Sequence, residues 1–522
     1  MAQHFDSPHR GLLGTGSTVT ASVPRGYGAG AGRGAVVVRF ALLGIVVLAA
    51  AVRLYGLTAS SFDMDEAFSV WVAQHDPSAI WSVLVRFDDH PPLFYLGLHY
   101  WRQVFGDSAF SLRLFPVLCG VLTIPVVYRL GRTIGGESVG LLSAALLAIA
   151  PLHVEWSREV RMFALEILAL AVAMDGLARM LEDPDAGWTP WVAYTAGTAA
   201  ALWTEYTAAL FPIIATLVVA ARWLTVPRPW GRALGRRWVA ANLVAALFCL
   251  PLVPMLTQQI RGPNVVSWYE ANLHALVDAF RLLFVGPAFV NHAAPEIYLL
   301  GVVLGVMAFL AWRDRPIWIV FASALTILPG LIIFAVALRH PIFDKRAFLW
   351  SSLPLCVVVA TGLLRLMRYR ALFAAVMVFV VVLNANGLWN AYREDWMQSP
   401  VRGWDRAVRH VAANVRQGDL VMVFVPYVQL AWDYYAREAR LSVAEAGVPV
   451  NFGEGSRTWP ALTSEDIPHI RGIASGHDRI WLVTGTYTPP TTILAALAGE
   501  FQVSSSQQVS KAITVSLYER GR

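Results

Sequence analysis

Residues 60–71 read SSFDMDEAFSVW. Three of the four positions from 63 to 66 are acidic, Asp63, Asp65 and Glu66, and they follow directly on the first long apolar run, about 36–57. A chain of 522 residues that is 57% hydrophobic and 15% charged has few charges to place. Three carboxylates gathered where it leaves an apolar segment therefore call for a physical reason. Working outward, apolar runs recur as far as about residue 390, and many approach or exceed the roughly 18 residues that suggest a membrane-spanning helix. The mean hydropathy of +0.53 agrees. The expected fold is a mostly α, polytopic membrane protein rather than a string of soluble domains.

Lys and Arg in the short loops set the expected orientation, because cytoplasmic loops carry the excess. With Arg25 and Arg33 inside, the first span exits and DMDEAF lies outside. The next apolar piece, His90 to Gly106, is short, aromatic and opened by two prolines, so residues 91–105 are read as an interfacial helix. Further spans are placed at about 110–130, 138–151, 160–180, 189–204, 207–224, 238–256, 296–312, 316–338, 347–364 and 371–390, about eleven in all, with a long outer loop at 257–295. The basic loops at 128–132, 222–237, 312–315 and 365–370 then all fall inside. SREVR (157–161) and RHPIFDKR (339–346) defy the rule by lying outside, which suggests that their charges have a use there. The expected location is the plasma membrane, multi-pass, with a cytoplasmic N-terminus and an extracytoplasmic C-terminal domain. The net charge of +6 reflects arginines between the runs and implies no nucleic-acid partner. Cys119, Cys249 and Cys356 lie inside apolar runs and read as buried thiols.

Residues 1–34 are polar, Gly- and Ser-rich and aperiodic, and are expected to form a disordered cytoplasmic tail. The membrane domain follows at 35–392. From 393 to 522 the composition becomes that of a soluble α/β domain. A helical period in VRGWDRAVRHVAANV and strand-like runs at 418–426, 479–485 and 512–520 alternate with helical segments near 427–437 and 490–499. This domain has no Gly-rich phosphate loop and no metal-ligand spacing, so no chemistry is assigned to it.

The polar residues expected outside come from several loops on one side of the membrane. They include Asp63, Asp65, Glu66, Asp89, His90, Glu159, Arg161, Glu205, Lys345 and Arg346. A charged loop taken alone is usually only solvated, but ionisable groups beside apolar spans are costly and tend to be functional. A carboxylate can take the proton of an attacking hydroxyl. Arginines can hold a leaving phosphate. Together these describe sugar transfer from a lipid-linked phosphosugar.

The stretches DMDEAFS, DDHPPLFYLGLHYW, SLRLFPVLCGVLTIPVVYRLGR, APLHVEWSREVRMFAL and DKRAFLWSSLP occur in that order. The set resembles the bacterial GT-C membrane glycosyltransferases of glycosyltransferase family 39, relatives of the protein O-mannosyltransferases and the aminoarabinose lipid A transferases. The resemblance covers roughly 36–390. It implies an inverting transfer from a polyprenyl-phosphate sugar to a glycan, lipid or protein acceptor outside the cell, with membrane lipids as surroundings. It also implies an acidic catalytic pair, Asp65 and Glu66, with the aspartate as base. The His90–Pro91–Pro92 helix is implied to border the donor pocket. Glu159 and Arg161 match a Glu-x-Arg-Met-aromatic motif, and Lys345 and Arg346 precede a loosened Arg-aromatic pair. Glu205 stands where many relatives have His, and Asp63, Asp89 and Glu205 are secondary candidates. No cofactor is expected to be required. DMD has the form of a metal-binding pair, so a divalent Mg or Mn ion stays an open alternative. The rival readings are a lipid or glycan transporter, which would place its ionisable residues near the midplane, and a non-catalytic glycan-binding scaffold.

Overall fold

The computed structural model describes residues 28–183, 187–225, 228–261, 271–285, 295–312, 316–340, 344–396, 401–454, 462–485 and 490–521. The tail reading for 1–34 falls largely outside these residues, but a helix already begins at Gly28.

The chain opens with α1, Gly28–Leu54, and then turns into the acidic stretch. Three short helices follow: α2 (Met64–Ala73), α3 (Pro77–Phe87) and α4 (Leu93–Phe105). At 13 residues α4 is too short to cross a bilayer, as the prolines before it suggest. The long α5, Ala109–Gly135, is capped by Ser108 and carries Pro116 and Pro125 in its interior. Gly136, at φ +89°, turns the chain back into α6, Glu137–Ile149. Next come α7 (Pro151–Trp156), α8 (Phe163–Glu182) and α9 (Thr189–Leu202). α8 and α9 pack backbone against backbone. A Cβ on Gly176 would lie 2.6 Å from the Pro190 carbonyl, and one on Gly197 would lie 2.6 Å from that of Ala169. Small residues permit such close approach between membrane helices.

α10 (Leu210–Thr225), α11 (Arg228–Cys249) and α12 (Leu252–Arg261) come next, with α11 and α12 bent by 63°. The expected outer loop at 257–295 is not all loop. It holds the end of α12 and a further helix, α13, Leu273–Val285. α13 was missed because its apolar period was shorter than a span. α14 (Pro295–Trp312), α15 (Pro316–Ala337), α16 (Ser352–Arg365) and α17 (Arg370–Asn390) complete the membrane domain. Among the described residues, six helices are long and apolar enough to cross a membrane, or seven if the bent pair is one span. The stretches expected to span at 138–151 and 189–204 form helices of only 13 and 14 residues. The protein is a multi-pass membrane protein.

The C-terminal part folds as α/β. Its helices are α18 (Trp404–Asn414), α19 (Pro426–Glu438), α20 (Ile467–Ala474) and α21 (Thr491–Leu497). Its strands are β1 (Leu420–Phe424), β2 (Ala444–Val448), β3 (Arg479–Thr484), β4 (Phe501–Gln508) and β5 (Thr514–Arg520). They form one sheet in the order β2-β1-β3-β5-β4, parallel in the first three and antiparallel beyond. β1, LVMVF, is buried throughout, as a central parallel strand should be. The chain leaves β1 toward β2 on one side and returns to β3 on the other. The carboxyl end of β1 is thus a topological switch point, the usual place for a functional crevice in an open α/β sheet. α19 starts there and packs against α2 of the membrane domain.

Candidate active site

The acidic stretch is a helix start. Asp63 caps α2, its Oδ1 accepting from the Glu66 amide at 2.8 Å, while Glu66 Oε2 accepts from the Asp63 amide at 3.3 Å. This reciprocal capping box fixes the first turn and sets the direction of Asp65.

Glu66 goes inward and is fully buried. Arg113, also fully buried, holds both of its oxygens, at 2.8 Å and 2.7 Å. Arg113 also donates to the carbonyls of Leu57, Ser60 and Ser61. The Val160 amide donates to Glu66 Oε1 at 3.1 Å. Arg402, from the start of the C-terminal domain, donates to Glu66 Oε2 at 2.7 Å, to Asp63 Oδ2 at 3.1 Å and to Glu159 Oε1 at 2.8 Å. Burial opposes the Glu66 charge, but Arg113 and Arg402 outweigh it and bring the carboxyl down to about 2. Three carboxylates thus share two guanidiniums. Burial, with Asp63 and Glu66 beside it, pushes Glu159 well up against the pull of Arg402. Asp63 is raised as well, by burial first and then by its acidic neighbours, against Arg402.

Asp65 points the other way, and its side chain is 38% exposed where that of Glu66 is closed off. Its Oδ2 accepts from Arg346 Nη1 at 3.2 Å and its Oδ1 from the Tyr427 hydroxyl at 3.1 Å. Burial would raise its pKa, but Arg161, Arg346 and the Tyr427 hydrogen bond together lower it, so Asp65 is a carboxylate at neutral pH. Asp63 and Asp65 therefore diverge. The DMD pair does not close around one point, and among the described residues no three His, Cys, Asp or Glu side chains gather as metal ligands.

Arg161 is only 4% exposed, yet among the described residues its side chain makes a long 3.4 Å contact to Ser69 Oγ. Its Nε has no hydrogen-bond partner among the described residues. Burial works against its charge, and Tyr95, Asp65 and Asp88 more than restore it. Arg346 differs. Its fork is engaged by Asp344, at 2.9 Å and 2.8 Å, and its remaining arm by Asp65. The Lys345 side chain lies outside the described part of the chain.

His90 sits between two carboxylates, Nδ1 at 2.8 Å from Asp88 and Nε2 at 3.4 Å from Glu205. Burial disfavours the imidazolium, but Asp88 and Glu205 prevail and raise the pKa. Tyr95 donates to the other oxygen of Asp88 at 2.5 Å. Pro91 is buried, and the Asp89 amide donates to Asp88 at 2.9 Å. Helix starts and loops thus bring Asp65, Arg161, Arg346 and His90 into one neighbourhood. Asp63, Glu66 and Glu159 form an adjoining closed cluster.

Reading the chain in sequence missed three participants. Arg113 carried a signal, a lone arginine inside an apolar run. Arg402 and Tyr427 carried none, although they come from the C-terminal domain, to which the sequence assigned no chemistry. That domain supplies a ligand to each of the two acidic residues of the pair.

Residues 89–256 match the family model described as dolichyl-phosphate-mannose-protein mannosyltransferase. No curated protein sequence matches the chain. The crystal structure of ArnT from Cupriavidus metallidurans in the apo state is similar at a TM-score of 0.61 and 14% identity, over 93% of this chain and 98% of that one. ArnT from the same organism bound to undecaprenyl phosphate matches at a TM-score of 0.58 and 14% identity, over 91% and 97% of the two chains. At that identity the likeness to ArnT is one of fold. Together with the family-model match over residues 89–256, it makes the chain similar in fold to the GT-C membrane glycosyltransferases.

Proposed function

We propose that this protein transfers a sugar from a polyprenyl-phosphate donor to a hydroxyl of an extracytoplasmic glycan, lipid or protein, with inversion at the anomeric carbon. Asp65 is the base. It takes the acceptor proton as the acceptor oxygen bonds to the anomeric carbon. The bond from that carbon to the phosphate oxygen breaks, and its electron pair leaves on the polyprenyl phosphate. A single displacement of this kind inverts the centre.

The observation that carries the reading is Arg161, a nearly buried guanidinium beside Asp65 with an Nε that no described residue accepts from. A desolvated cation with unused donors suits an oxyanion that arrives with the substrate and gains charge in the transition state. The ArnT structure with bound undecaprenyl phosphate supports the donor class. Arg346 helps hold Asp65 in its ionised state, and His90, whose imidazolium form is favoured by Asp88 and Glu205 against burial, stands beside Arg161. Glu66 positions rather than reacts, since every direction from its carboxylate is filled.

The test is the purified full chain in nanodiscs, offered polyprenyl phosphates carrying mannose, glucose, galactose or arabinose, with release of polyprenyl phosphate as the readout. Release from one or more donors that depends on both Asp65 and Arg161 supports the proposal. Release that is indifferent to both contradicts it.

A further inference from the structure

The side chain of the proposed base is already occupied, and its two partners are unequal. Arg346 is a charged donor to Oδ2, itself tied to Asp344. Tyr427 is a neutral hydroxyl donor to Oδ1 at 3.1 Å. An acceptor alcohol must bring its own O–H to this carboxylate before its proton can be taken. Displacing the arginine would take a charged partner from the carboxylate in a confined site. Displacing the phenol would exchange one neutral O–H donor for another, with the hydrogen-bond count unchanged.

We infer that the Tyr427 hydroxyl occupies the place of the acceptor hydroxyl, and that the C-terminal domain thereby closes the base until an acceptor takes that place. The inference rests on the proposed role of Asp65. Tyr427 is well placed to hold the position. It lies in the first turn of α19, directly after β1, at the switch point of the sheet. Its ring stacks on Phe68 of α2 at 6.0 Å and meets Phe452 at 5.9 Å, so the hydroxyl is aimed and not free to swing. Burial and the neighbouring Asp65 keep its own pKa well above that of an ordinary phenol. It is therefore a donor that leaves intact, not a second base. When the acceptor enters, its proton goes to Asp65 Oδ1, its oxygen bonds to the anomeric carbon, and the phosphate leaves with the electron pair.

The charged groups around Asp65 besides Tyr427 are Arg161 and Arg346, with Asp344 behind the latter and Asp63 and Glu66 on the same turn. Asp88 and Tyr95 face Arg161 from the α4 side. All of these are untouched by Tyr427→Phe, which removes one oxygen and keeps the stacked ring.

Two measurements on the full chain in nanodiscs test the inference. Infrared difference titration of the Asp65 carboxyl, its band assigned by loss in Asp65→Asn, should move to higher pH in Tyr427→Phe, because a donor to the ionised form is gone. In the second, polyprenyl-phosphate mannose is the donor probe and glycerol the hydroxyl source. Tyr427→Phe should lower the KM for glycerol by about ten-fold or more, the worth of one hydrogen bond to an ionised carboxylate, with the donor KM unchanged. A merely structural tyrosine would lower kcat and leave the glycerol KM alone. An unmoved Asp65 titration overturns the inference, as does a glycerol KM that is unchanged or raised. Release that survives Asp65→Asn overturns the base assignment together with it.

Discussion

Arg402 donates to Glu66 at 2.7 Å across 336 residues of sequence, and so locks the C-terminal domain to the first turn after the first membrane helix. The same guanidinium reaches Asp63 and Glu159, and the Gly403 amide beside it donates to Ser61 Oγ at 2.7 Å. Removing Arg402 takes the guanidinium from Asp63 and Glu159 and leaves Glu66 with Arg113 alone. Breaking a buried ion pair from one side typically costs about 3–5 kcal/mol. Arg402→Ala is therefore expected to lower the unfolding temperature of the detergent-solubilised protein sharply and to abolish transfer. Arg402→Lys, one charge without the fork, should fall between. Wild-type thermal stability in Arg402→Ala would show that the lock carries no load.

The Glu66 pair also fixes a pH dependence of stability. The folded pKa of about 2 lies below the ordinary 4.5. A depressed carboxyl contributes stability that is fully present above the unfolded value and is lost as pH falls through the folded one. Unfolding temperature should thus decline between about pH 4.5 and 2 in the wild type. Glu66→Gln should start lower and lose less over that range. Parallel curves for the two proteins would count against this ion-pair assignment.

The two outer arginines, alike in sequence, are expected to differ in function. Arg161 has donors to spare, so Arg161→Lys should weaken binding of the polyprenyl-phosphate sugar by about ten-fold or more, the loss of roughly 1.5–3 kcal/mol for a charged hydrogen bond. Arg346 is spent on Asp344 and Asp65, so Arg346→Gln should leave donor affinity nearly unchanged. Its effect should appear in the pH profile. Asp65 works only when ionised, and Arg346 is one of the groups that lowers its pKa. Without it the acid limb of kcat should move to higher pH. Donor titrations and pH–rate profiles of the two variants give the answer, and equal loss of donor affinity in both would erase the distinction.

Topology can be checked on the same surfaces. In a background with Cys119, Cys249 and Cys356 replaced, Ser475→Cys lies exposed in the C-terminal domain and Arg236→Cys is exposed on α11. An impermeant thiol reagent should label Ser475→Cys in intact cells, and Arg236→Cys only after permeabilisation. The reverse pattern would put the acidic site on the wrong side for a lipid-linked donor.

Much of the helical architecture was legible because apolar length is a strong signal. Apart from the short α7, which lies in a stretch read as outer loop, each helix from α5 to α11 and from α14 to α17 overlaps an expected apolar run. The finer features were lost for physical reasons. α13 is short enough to pass for loop. β2, AEAGV, consists of residues with little preference for strands, and β4, FQVSSSQQ, is an exposed edge with no apolar alternation. At the site, isolated charges beside apolar spans stood out as a group, and the resemblance, not the residue types, singled out Asp65 and Arg161 among them. The division of labour between Asp65 and Glu66 was half legible. Asp63-x-x-Glu66 has the form of a capping box, which already turns Glu66 back toward the chain. What no local pattern carries is a contact across hundreds of residues. Arg402 and Tyr427 sit in ordinary soluble sequence, and only the fold brings them to the acids.

The most direct measurement is the turnover of Asp65→Asn. The amide keeps the shape, its oxygen still accepts from Arg346 and its NH2 meets the Tyr427 oxygen as a donor, but it cannot take a proton. General-base catalysis contributes roughly 10²–10⁴-fold. Purified Asp65→Asn in nanodiscs should bind the polyprenyl-phosphate sugar with affinity near that of the wild type and release polyprenyl phosphate at least about a hundred-fold more slowly. A variant that keeps more than about a tenth of wild-type turnover would contradict this, because a base worth that little is not the base.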